Sequence, residues 1–105
     1  MPFLRRNLSP IGGQSTPSLN GSAETVPGAP QLWSYRTADA PATVDTSGYF
    51  NEVARLLRLG DLIYRLTIDG AGTVVSAGWH VVMSISAAGV VNVSDTTTLT
   101  ITNTD

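Results

Sequence analysis

The chain has no cysteine, no lysine and a single histidine, and its charges are sparse: six arginines against eight acidic residues in 105 positions, a formal charge of −2. Without cysteine there is no disulfide and no thiolate metal site. One histidine with neither a second histidine nor a cysteine beside it cannot complete a metal shell. No dense basic face is available for non-specific binding to nucleic acid. No apolar run reaches the ~18 residues of a membrane span. The opening MPFLRR lacks the apolar core of a secretory signal, so export by that route is not expected. A serine-centred nucleophile elbow is missing, and DGAGT at 69–73 is too short for a phosphate loop and lacks its lysine. These absences leave no catalytic residue, metal ligand or cofactor to expect, and neither a nucleic acid nor a membrane as partner. An enzyme is not expected.

What is present divides in two by composition. Residues 7–30 are dominated by Ser, Pro, Gly, Thr, Asn and Ala, with Glu24 as the only charge. Such a stretch cannot bury enough apolar surface to offset its ordering entropy. Residues 1–30 therefore read either as a plain flexible terminus or as an extended arm that becomes ordered on a neighbouring subunit. Phe3, Leu4, Arg5 and Arg6 at the tip give the arm an apolar and cationic anchor for such a contact.

Residues 31–105 read as a β-rich domain with one helix near 47–59. Thr46 and Ser47 are suited to cap a helix, Asp45 complements its dipole, and Gly60 suits its end. Tyr49, Phe50, Val53, Leu56 and Leu57 recur at spacings of three and four and define one apolar face. Residues 31–36 form an aromatic strand with Trp33 and Tyr35, and 37–44 a loop because Pro41 cannot donate to a ladder. Along 62–68, Leu62, Tyr64, Leu66 and Ile68 alternate with Ile63, Arg65 and Thr67. Asp69-Gly70-Ala71-Gly72 supplies a hairpin turn. Further strands are expected at 73–77, 79–86, 90–94 and 99–103, with a bulge or bend at Gly78 and a second turn at 87–89. The fold class is mainly β with one short α-helix, a small sandwich or barrel-like domain carrying an N-terminal arm.

His80 lies mid-strand and reads as a hydrogen-bonded structural residue. Asp39, Asp45, Asp61, Asp69 and Asp95 each sit beside turn or cap residues and read as structural. Arg36, Arg55, Arg58 and Arg65 would make a basic face, although a solvated helix side accounts for the middle two. The threonines at 96–98 read as solvent-facing or edge strand.

A folded part of roughly 75 residues buries only a little over ~60% of its unfolded surface, and no disulfide or metal assists it. A thin domain with apolar residues on both strand faces implies a homo-oligomer, a trimer being favoured. Trp33, Tyr35, Tyr49 and Phe50 are the expected core or subunit-interface residues.

The segment LWSYRTADAPATVDTSGYFNEVARLLRLGDLIYRLTIDG resembles small virion proteins of tailed phages, in its aromatic strand, its Thr-Ala-Asp, its VDTSGYFN and its LGDLI. The likeness runs more loosely through His80-Val81-Val82 to the threonine-rich end and leaves the first thirty residues uncovered. It implies a virion location, on the capsid surface, and brings no catalytic residues. The function expected from it is a capsid decoration (cement) protein that binds the major capsid protein and stabilises the head shell, with Phe3 to Arg6 in shell contact. The alternatives are a receptor- or glycan-binding fibre module, which needs an exposed aromatic such as Trp79, and a tail or neck component.

Overall fold

Two aromatic side chains that alternate along one strand set the inside of this protein. In a computed structural model, which describes residues 3–11 and 30–104, the strand Leu32–Thr37 (β2) turns Trp33, Tyr35 and Thr37 inward. An earlier strand, Leu8–Ile11 (β1), pairs antiparallel with β2, and Leu62–Ile68 (β3) pairs with it in parallel. A parallel pair needs a crossover connection, and residues 38–61 provide it across one face of the sheet. The hairpin partner of β3 is Val74–Ile85 (β4), followed by Val91–Val93 (β5) and Thr97–Leu99 (β6), both antiparallel to β4. The sheet order is β1-β2-β3-β4-β5, with β6 also on β4.

The mainly β architecture with one short helix is as expected, but a single mixed sheet backed by the crossover does the covering. The core lies between them. Leu8, Trp33, Tyr35, Ile63, Val82, Ile85, Val91 and Val93 from the strands meet Val44, Phe50, Val53 and Leu57 from the crossover.

The helix at 47–59 does not form. The only α-helical residues among those described are Pro41–Val44 (α1), inside the expected loop, and 47–59 is a chain of turns around the 3-10 segment Asn51–Val53. Pro41 opens α1 because a missing N–H costs nothing in a first turn. Gly48 has φ +90, outside the helical region. Its N–H donates to the Val91 carbonyl (2.9 Å), and the Val91 N–H donates to Asn51 Oδ1 (2.9 Å). These bonds to β5 hold the backbone where a helix would withdraw it. The apolar spacing still does its work: Phe50, Val53 and Leu57 are buried, while Leu56 is exposed.

Other boundaries shift as well. Residues 73–77 and 79–86 form one strand, and Gly78 sits in its regular ladder opposite Arg65. The irregularities fall instead at Thr67/Ile68 and Val82/Ser84. The last strand is Thr97–Leu99, and 100–104 lie outside any strand. At the front, Phe3 is only 7% exposed and β1 is part of the sheet, so the tip of the expected arm is built into the body. Residues 12–29 of that arm lie outside the described residues.

Candidate functional site

Pairing in register sorts the side chains onto two faces of very different character. On the inner face, Arg65 is fully buried, opposite Gly78, where a bare backbone leaves room. Arg65 Nε donates to His80 Nε2 (3.2 Å), Nη1 to Thr67 Oγ1 (2.6 Å) and Ser76 Oγ (3.1 Å), and Nη2 to Thr96 Oγ1 (3.1 Å). All four acceptors are uncharged. A Cβ on Gly78 would meet Thr96 Oγ1 as well as the Thr97 carbonyl oxygen (2.8 Å) and Arg65 Nη2 (3.0 Å). Because His80 Nε2 accepts, its proton is on Nδ1, which donates to the Ser94 carbonyl (2.9 Å). Burial lowers the pKa of His80; the Ser94 bond opposes that shift and the Arg65 cation adds to it. Burial likewise lowers the pKa of Arg65. His80 is therefore a neutral structural residue, and Arg65 belongs to no surface basic face.

A second buried polar chain fixes the front of the molecule. The Leu4 N–H donates to Tyr35 Oη (3.1 Å), and Tyr35 and Tyr49 hydroxyls lie 2.8 Å apart. Tyr49 then donates to Asp39 Oδ2 (2.7 Å). Burial, reinforced by the bonds with Tyr35 and Asp39, pushes the Tyr49 hydroxyl far above its usual pKa, so it stays a donor. Phe3, Tyr35, Tyr49 and Phe50 form one aromatic cluster with centroid separations of 5.0–6.1 Å. Phe3 is thus a core residue rather than a free shell anchor, while Leu4, Arg5 and Arg6 remain exposed. Trp33, Tyr35 and Phe50 are buried within one chain and Tyr49 packs against them.

Asp61 is buried at the end of the crossover. Its Oδ1 accepts from the Gln31 N–H (2.8 Å), and its Oδ2 from Trp33 Nε1 (3.0 Å) and the Arg58 N–H (3.0 Å). Asp69 closes the β3–β4 hairpin by accepting from the N–H groups of Ala71 and Thr73. Both carboxylates accept from backbone or indole N–H groups, which suits a structural role. Among the described residues no three His, Asp or Glu side chains gather as a metal site would need, and no helix is long and apolar enough to cross a membrane.

The outer face is the opposite. Register aligns Ile11 with Leu32, Leu32 with Leu62, and Leu62 with Val81, giving a straight apolar row across β1, β2, β3 and β4. Ile11, Leu32 and Val81 are 44%, 42% and 39% exposed. Beside this row Tyr64 packs on Trp79 at 5.5 Å, half-buried, and Met83 and Val75 stand out of β4. A shallow depression of about 410 Å³ opens between Asn7, Ser34, Arg36, Tyr64 and Leu66, with Arg36 as its only charged group. One cation without an acid or base opposite it offers no proton-transfer pair. An apolar face spanning four strands suits docking against another apolar surface. The sequence had identified the alternating phase Leu62, Tyr64, Leu66 and Ile68; that this phase faces outward became legible only with the crossover placed. Compared with protein-family models, curated proteins and solved structures, the chain matches none.

Proposed function

We propose that this chain is a structural protein of a tailed-phage virion, decorating the head shell and stabilising it by seating on the major capsid protein as a homo-oligomer. The observation that carries the reading is the apolar row Ile11, Leu32, Leu62 and Val81 on the outer face. A small domain that leaves such a face to water has a partner for it, and a symmetric shell presents that partner many times over. The resemblance of residues 32–70 to small virion proteins supplies the phage setting. The inward-directed polar groups support a binding rather than a chemical role. With Phe3 in the core, the contact surface consists of the outer face together with the exposed Leu4, Arg5 and Arg6.

The test is the number of copies per particle in virions of the phage that encodes the chain, measured by quantitative mass spectrometry. Hundreds of copies, with heads that rupture at lower temperature once the protein is stripped, are the expected result. A handful of copies per particle would move the protein to the tail or neck. Its absence from particles would end the reading.

A further inference from the structure

We infer that the chain pairs with a second copy of itself through the outer edge of β6, strand against strand about a twofold axis. Where the outward backbone groups of each sheet edge go decides whether that edge can receive another strand. At β1 the Leu8 N–H donates to the Arg5 carbonyl, the Leu8 carbonyl accepts from Arg5 Nη1 (3.2 Å), and Pro10 has no N–H to offer. At β5 the Val91 N–H and carbonyl are taken by Asn51 and Gly48. Both of these edges are closed from within the chain.

The β6 edge is open. Along β4, Val82 turns its N–H and carbonyl to Asp61 and Gly60, and Val81 turns its own to Ser94 on the opposite side. Backbone groups alternate between the two sides of a strand, so Ala77 and Trp79 also turn toward β6 and meet Leu99 and Thr97. Thr98, between those two, points its N–H and carbonyl away from β4, where no hydrogen-bond partner stands among the described residues. Thr98 is exposed to solvent. Residues 97–104, TTLTITNT, hold no charge, proline or glycine, so none of the usual devices blunts this edge. The same composition identifies the occupant. A strand that meets its own copy sets like residues together near the axis, where like charges would repel, and this strand has none. A twofold axis at Thr98 lets two copies exchange both N–H···O bonds and places threonine against threonine. The register row Leu66, Ala77 and Leu99 ends at this edge, so the pairing also joins the outer faces of the two copies. This inference specifies the contact within the homo-oligomer proposed above, and it does not need the virion setting.

The test uses the purified full-length chain alone. Sedimentation should give a dimer or a larger even-numbered assembly. Two variants should each halve it: Thr98→Pro, which deletes the outward donor, and Thr98→Lys, which sets two cations across the axis. Because Thr98 makes no backbone bond to β4, both variants should keep the far-ultraviolet circular dichroism of the natural chain. A natural chain that sediments as a monomer or a trimer overturns the inference. So does a Thr98→Lys variant of natural size, and that variant decides the matter even where Thr98→Pro fails to fold. Hydrogen exchange gives a separate reading: the Thr98 amide should be protected in the assembly and lose protection on dilution. Exchange of that amide at the unprotected rate while the assembly persists overturns the inference as well, because the contact then lies elsewhere.

Discussion

Arg65 stands where the alternation of its strand calls for an apolar side chain, and its burial is tolerable only because four neutral acceptors surround the guanidinium. Gly78 makes that possible. Alanine ordinarily favours a strand over glycine, yet here its Cβ would press on the Thr97 carbonyl oxygen and on Arg65. Backbone cannot yield as a flexible side chain does, so overpacking wins. Gly78→Ala should lose about 1–3 kcal/mol in chemical denaturation. His80 adds a pH dependence of definite sign. Its pKa in the folded protein lies below the ~6.5 of the unfolded chain. The neutral ring's contribution is therefore complete above about pH 6.5 and is lost as pH falls toward the folded value, because the unfolded state binds the proton first. Protonation would also remove the acceptor of Arg65 Nε and set two cations 3.2 Å apart. The deficit of His80→Gln relative to the natural protein should accordingly narrow between pH 7 and pH 5, as read from denaturation midpoints at each pH.

Elements here are held by bonds whose partners are far apart in sequence. Asp61 joins the end of the crossover to the start of β2 through three N–H donors. Asp61→Ala strands all three in the interior and should cost on the order of 3 kcal/mol or more. Asp61→Asn keeps an oxygen for two of them and should cost less, a ranking that thermal melts will check. Such ties explain what could be read from the sequence and what could not. The β3–β4 hairpin was legible because Asp69, Gly70 and Gly72 settle it within a few residues. Strand existence was legible from alternation, but the inward phase of β3 was not, since the crossover chooses it. The helix at 47–59 was misread for the same reason: Gly48 and Asn51 answer to Val91, some forty residues on. Phe3 looked like a free anchor because nothing local announces an aromatic socket assembled from Tyr35, Tyr49 and Phe50. Removing that ring tests the element. In Phe3→Ala the amides of Leu8, Ser9 and Ile11 should lose hydrogen-exchange protection while those of β3 and β4 keep theirs, since a small segment can detach without unfolding the rest.

At the scale of the whole molecule, two surfaces serve two different purposes. The socket for residues 3–11 lies at the β2 edge and the aromatic cluster, and it ties the front of the chain to its body. The apolar row Ile11, Leu32, Leu62 and Val81 crosses the outer face and is the proposed seat on the shell. The two can be separated, because Leu32 and Val81 direct their side chains away from the core and are 42% and 39% exposed. Exposed positions of this kind change stability by only about 0.5 kcal/mol when substituted, whereas a carboxylate forced into an apolar contact must be dehydrated without a partner. Leu32→Glu/Val81→Glu should therefore melt close to the natural protein and keep its sedimentation unchanged. Its incorporation into particles should fall by about tenfold or more, the equivalent of ~1.4 kcal/mol lost from the seat. A charged face that still enters particles at the natural copy number would show that the row is not where the shell is held. A changed sedimentation with normal incorporation would make the outer face a contact between copies of the chain instead.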